Sequence, residues 1–100
     1  MAEGNIQAAA PVEEPVDADA CFELGMNYSV GNTVPVDMVA AHKWFNIAAM
    51  RGHKDAAKLR REVAEQMSDS EIGMAQRAAR DWLKAHPQPI EPAPEIRVAA

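Results

Sequence analysis

One cysteine and three histidines are the residues of this 100-residue chain that could support nucleophilic or metal chemistry. Cys21 would need a lowered thiol pKa to act as a nucleophile, and no nearby pattern of bases supplies one. His42, His53 and His86 are spaced too widely for two of them to bind one metal ion from the same helical turn. We therefore expect Cys21 to be a packed thiol, and we expect no metal site and no cofactor.

Other catalytic patterns are also missing from the sequence. It contains no glycine-rich phosphate loop, no nucleophile motif of the Ser/His/Asp type and no CxxC pair. The sequence around the acidic pairs Glu13–Glu14 and Glu62/Glu65 gives no sign of a pocket, and we interpret them as solvated charge. The sequence thus favours a protein that is not an enzyme.

A short basic stripe is the remaining candidate for direct chemistry. Lys54, Lys58 and Arg61 are spaced i, i+4 and i+7, which would place them on one helix face, where they could contact an acidic peptide or a nucleic-acid backbone. Carboxylates are interspersed with these cations, and mixed charge is typical of a solvated face. The net charge of −5, with no lysine or arginine in the first 42 residues, argues against a general nucleic-acid binder.

Local start and stop signals predict two helices in the first half of the chain. Helix one should extend over residues 19–30, with Asp17 or Asp19 as the N-cap and Gly31 as the left-handed residue that ends it. Helix two should extend over residues 37–51, with Asp37 as its N-cap and Gly52 ending it in the same way.

Two further helices are predicted in the second half. Helix three should cover residues 54–67, and a Ser-x-x-Glu capping box at Ser68 and Glu71 should open helix four, which stops at Pro87. The residues of helix four that we expect to face inward are Ile72, Ala75, Ala79, Trp82 and Leu83.

The two ends of the chain differ from this helical region, residues 17–86. Residues 1–16 are predicted to be a disordered acidic leader, and residues 87–100, with four closely spaced prolines, a disordered tail. The alternative for the tail is that its PxxP segment, Pro89 to Pro92, is a ligand for a proline-recognition module. The sequence has neither a signal peptide pattern nor the ~20 apolar residues of a membrane helix, so we expect a cytoplasmic protein with no membrane contact.

Small, aromatic and turn residues recur at spacings of three or four from residue 20 to residue 56, as in helices that pack through one face. The chain reads Ala20-x3-Leu24-Gly25-x2-Tyr28-x2-Gly31-x-Thr33-Val34-x2-Asp37-x2-Ala40-Ala41-x2-Trp44-Phe45-x2-Ala48-Ala49-x2-Gly52-His53-x2-Ala56. The small side chains of Gly25 and the Ala48–Ala49 pair should let helix axes approach closely, and we expect Trp44 and Tyr28 to fill the space beside them.

This pattern resembles one Sel1-like repeat, a relative of the tetratricopeptide repeat. Two positions depart from it, since Thr33 replaces the second loop glycine and Ala40 replaces the usual lysine. Residues 57–86 would be a continuation, and residues 67–82 resemble the closing helix of some members. The resemblance implies an all-α fold of two antiparallel helical hairpins. Because about three such units are normally needed for a stable stack, either helix four closes the core or another chain does.

The resemblance also implies protein binding through a concave face lined by the first helix of the repeat. The candidate binding residues on helix one are therefore Glu23, Met26, Asn27 and Val30. The sequence thus predicts a non-catalytic adaptor or regulator that binds a protein partner. Nucleic-acid binding through the basic stripe and self-assembly through helix faces are the alternatives.

Overall fold

The computed structural model describes residues 17–87, and all the regular secondary structure in that range is helical. The four helices are α1 (Ala18–Val30), α2 (Met38–Met50), α3 (Ala56–Ala64) and α4 (Asp69–Ala85). The prediction of an all-α fold with about four helices is confirmed. The predicted disordered leader and nearly all of the proline-rich tail lie outside the described residues.

Side-chain caps start the first two helices at the predicted places. Asp17 Oδ1 accepts a hydrogen bond from the amide of Ala20 at 2.9 Å, and Asp37 Oδ1 accepts one from the amide of Ala40 at 3.0 Å. Gly31 ends α1 in the left-handed conformation, with φ of 77°. These contacts satisfy amide and carbonyl groups that a helix end leaves unpaired, which is why such short signals set the boundaries.

The prediction for helix three is wrong at both ends, because α3 covers nine residues rather than residues 54–67. At its start the amide of Asp55 donates to Nδ1 of His53 at 3.1 Å, so residues 54 and 55 form a turn. At its end Met67 donates to the carbonyl of Ala64, which makes a tighter turn. Met67 still packs against buried residues, so the apolar pattern continues past the last helical residue.

The predicted capping box of α4 is present. Ser68 Oγ accepts from the amide of Glu71 at 3.1 Å, and Glu71 Oε1 accepts from the amide of Ser68 at 2.9 Å. At the other end the guanidinium of Arg51 donates to the carbonyl of His86 and lies 5.2 Å from the ring centroid of Trp82. The imidazole of His86 stacks on that indole at 4.2 Å, so both ends of α4 are tied down.

The core is built around α2, which packs against each of the other three helices. Its side chains Phe45, Ile47 and Ala48 are almost completely buried. Trp44 meets Trp82 of α4 edge-on, with ring centroids 5.3 Å apart. A central helix with contacts on several sides explains why α2 has the largest share of buried residues.

The prediction of what lies beside Gly25 is wrong. A Cβ added to Gly25 would lie 2.6 Å from Cδ1 of Phe45, so the side chain nearest to this position is that of Phe45 rather than that of Trp44 or Tyr28. Adjacent positions on a helix point about 100° apart, so when one aromatic of the pair faces α1 its neighbour must face elsewhere. Trp44 faces α4.

Candidate protein-binding groove

A groove of about 200 Å³ lies between α1 and α3, and α2 also contributes to its lining; we call it the α1–α3 groove. Its lining residues are Met26, Ser29, Met38, Phe45, Leu59, Glu62, Val63 and Gln66. The buried side chains of Phe45 and Val63 provide apolar surface at its base. An open apolar depression with a polar edge is the usual form of a surface that accepts an apolar side chain from a ligand.

The rim of the α1–α3 groove combines an exposed methionine with polar groups. Met26 is 37% exposed, and its unbranched side chain can adapt to different neighbours. The hydroxyl of Ser29 donates a hydrogen bond to the carbonyl of Met26 at 2.9 Å, so this hydroxyl is already engaged with the backbone of α1. On the α3 side Glu62 and Gln66 are exposed. Glu62 is the one charged residue lining this groove in the described range.

The structure brings one of the four predicted binding residues into the groove. Met26 lines it, whereas Glu23 and Val30 are exposed but lie outside the lining. Asn27 is half-buried, and its side-chain oxygen is 3.5 Å from the amide nitrogen of Asn32. Its backbone carbonyl accepts from the amides that follow α1, so Asn27 serves the end of the helix.

Sequence reasoning missed the residues that α3 and the turn after it contribute to this groove. Leu59, Glu62, Val63 and Gln66 follow the spacing i, i+3, i+4 and i+7, which marks a single helix face. That spacing was the available signal. It could not have indicated that this face stands opposite Met26, because the pairing depends on how α1 and α3 cross α2.

The buried thiol and one histidine have no chemical role that the structure supports. Cys21 is fully buried, and this burial raises the pKa of its thiol, so it remains protonated and unreactive at neutral pH. His42 is 3% exposed, and its Nδ1 has no hydrogen-bond partner among the described residues. Burial, assisted by the charge of Arg60, lowers the pKa of His42, which holds it in the neutral form.

His53 connects the α2–α3 turn to α1. Its Nδ1 accepts from the amide of Asp55, its Nε2 lies 3.6 Å from the carboxylate of Asp19, and its ring stacks on Phe22 at 3.9 Å. Both ring nitrogens therefore face local groups. Within residues 17–87 no group of three or more histidine, cysteine or acidic residues is arranged to hold a metal ion.

The basic stripe is exposed, as expected for either of its interpretations. All three residues have exposed side chains: Lys58 and Arg61 lie on α3, and Lys54 lies in the turn before it. Arg60 differs, because its Nη1 donates to Oδ1 of Asn46 on α2 at 2.8 Å. The stripe is therefore a surface feature, while Arg60 takes part in helix packing.

Comparison of the chain with protein-family models, curated proteins and solved structures found no match. None of the helices in residues 17–87 is long and apolar enough to cross a membrane.

Proposed function

We propose that this chain is a small non-catalytic protein-binding module of the Sel1-like class, acting as an adaptor or regulator. The observation that carries the proposal is the α1–α3 groove, which is lined by both the accessible side chain of Met26 and the buried ring of Phe45. This combination suits an apolar side chain of a protein partner. A buried aromatic base gives shape, and an unbranched methionine gives adaptability.

Two backbone features support the Sel1-like assignment. Thr33 stands at a loop position where the family pattern has glycine, and its φ is 67°, in the left-handed region that glycine adopts without strain. Gly25 stands where a side chain would collide with Phe45 of the neighbouring helix. Both positions follow the steric demand that the family pattern implies.

The proposal is tested by placing a photo-crosslinking amino acid at single positions of the full chain in its native cells. Position Met26 should yield a defined protein adduct, and so should position Gln66 on the opposite side of the groove. Lys58 is the matched control, because it is exposed on α3 but absent from the groove lining. Adducts of equal yield at all three positions, or none at Met26 and Gln66, would contradict the proposal.

A substitution pair then tests whether the apolar contact contributes affinity for the crosslinked partner. Met26→Glu should weaken binding about tenfold, since it introduces a charge where an apolar side chain is buried on association. Met74→Glu is the control, because Met74 is also an exposed methionine, 49% accessible, and lies outside the groove lining. Equal weakening by both substitutions would exclude the groove as the binding site.

The nucleic-acid alternative rests on the exposure of the basic stripe, and it predicts a different outcome. Binding of a short oligonucleotide should fall steeply with salt and should be lost with Lys58→Glu or Arg61→Glu. Absence of binding at low salt excludes it. Self-association, the third alternative, would appear as a concentration-dependent mass in sedimentation of the pure protein.

A further inference from the structure

A second and larger groove, of about 530 Å³, lies between α2 and α4, and we call it the α2–α4 groove. Its lining residues are Asn46, Met50, Gln76, Ala79, Arg80, Leu83 and Lys84. It shares no residue with the α1–α3 groove, and none of the sequence patterns described above pointed to it as a site.

The base and one edge of this groove are apolar. Ala79 is almost completely buried, and its single methyl group leaves open the space that a larger side chain would fill. Leu83 is half-buried beside it, and Met50 on α2 is 65% exposed. A methionine that extends this far into solvent beside an open apolar base gains contacts when a ligand side chain enters.

The other edge of the groove is positively charged. Arg80 and Lys84 are exposed, and four residues of helix place them about 6 Å apart along α4. At the α2 wall Asn46 accepts a hydrogen bond from the guanidinium of Arg60, although Arg60 itself does not line the groove. Among the described residues none of those lining the groove carries a carboxylate, although the whole chain has a net charge of −5.

We propose that the α2–α4 groove binds an acidic, amphipathic segment of a partner protein. An apolar side chain of that segment packs on Ala79 between Met50 and Leu83. Its carboxylates, spaced by about one helical turn, pair with Arg80 and Lys84. The cationic edge on an acidic chain selects against basic segments, because complementary charge steers and orients the encounter.

This inference is independent of the proposed function, because it concerns a different pair of helices and a different ligand chemistry. A module with both grooves could hold two partners, or two segments of one partner, at the same time. Loss of one binding activity would leave the other intact.

The test is selection from a random 12-residue peptide display library with the full chain as bait. We expect the enriched peptides to combine at least two carboxylates with a large apolar residue. The strongest peptide should bind the double variant Arg80→Glu/Lys84→Glu at least about tenfold more weakly. Met50→Ser should weaken it about threefold without changing the charge, since part of the apolar contact is lost.

Arg77→Glu is the matched control. It reverses one charge on the same helix, as each of the two substitutions of the double variant does, at an exposed position outside the groove lining, and should alter binding less than twofold. All the substituted side chains are exposed, so thermal unfolding followed by circular dichroism should show an unchanged fold. The proposal is overturned if acidic peptides are not enriched, or if Arg77→Glu weakens binding as much as the double variant. It is also overturned if a 12-nucleotide single strand binds more tightly than the best peptide.

Discussion

Thr33 is, among residues 17–87, the one non-glycine residue with positive φ, and its value is 67°. A β-branched residue in the left-handed region carries a steric cost of about 1–2 kcal/mol, of which glycine removes most while adding some backbone entropy to the unfolded chain. We predict that Thr33→Gly raises the free energy of unfolding by about 1 kcal/mol in urea denaturation. Thr33→Ala keeps the Cβ and should gain much less. A loss of stability in Thr33→Gly would contradict this interpretation.

Gly25 and Gly73 are both helical glycines, but their surroundings predict opposite effects of substitution. A Cβ at Gly25 would lie 2.6 Å from the ring of Phe45, whereas a Cβ at Gly73 meets only the flexible end of Arg77 at 3.4 Å. Gly25→Ala should therefore destabilise by about 1–3 kcal/mol, because the core must shift. Gly73→Ala should stabilise by about 0.5–1 kcal/mol, because alanine favours the helix. Thermal unfolding of the two variants measures both, and a stabilising Gly25→Ala would refute the close packing.

His42 makes the stability of the fold depend on pH. Burial, followed by the charge of Arg60, lowers the pKa of His42 in the folded state. The unfolded chain, with the ordinary histidine pKa of about 6.5, then binds a proton that the folded chain excludes. We predict that the free energy of unfolding falls as the pH drops below about 6.5, and that it falls less in His42→Gln. Urea unfolding at pH 7.5 and pH 5.5 measures this change in the free energy of unfolding. An equal decrease in the original protein and in His42→Gln would contradict the prediction.

Among the elements, α4 depends on its N-terminal capping box. The hydroxyl of Ser68 accepts a hydrogen bond from the amide of Glu71, and the amide of Ser68 donates one to the carboxylate of Glu71. Ser68→Ala should cost about 1 kcal/mol in thermal unfolding and speed amide exchange in the first turn of α4. Ser70→Ala is the control, because Ser70 is exposed in that same turn and is not the cap. Similar losses from both substitutions would show that the capping hydrogen bond is not the cause.

In the molecule as a whole, α2 joins α1, α3 and α4 into one packed unit. The chain has two tryptophans, and their rings meet between α2 and α4 at 5.3 Å, so tryptophan fluorescence reports that contact. We predict that fluorescence and far-ultraviolet circular dichroism give the same urea midpoint, because no helix keeps its packing once α2 is lost. An earlier fluorescence transition would show that α4 separates from the other helices first.

The order and approximate extent of the helices could be predicted because their signals are local. The caps at Asp17, Asp37 and Ser68 act over three residues, and a hydrogen bond of that range is readable from the sequence. The prediction was wrong for α3, where the apolar spacing continues to Met67 although the helix ends at Ala64. Apolar spacing reports burial, and a turn residue is buried as readily as a helical one.

The amino-acid sequence alone was sufficient to predict an all-α chain of four helices, three of them with a side-chain N-cap, and it placed Met26 on a candidate surface. Three features became visible only in the folded chain: Phe45 rather than Trp44 lies against Gly25, α3 stands opposite Met26, and a cationic groove opens between α2 and α4. Helical periodicity specifies the face on which a side chain lies. Its partner depends on the angles at which helices cross, and these arise from packing between residues distant in the sequence.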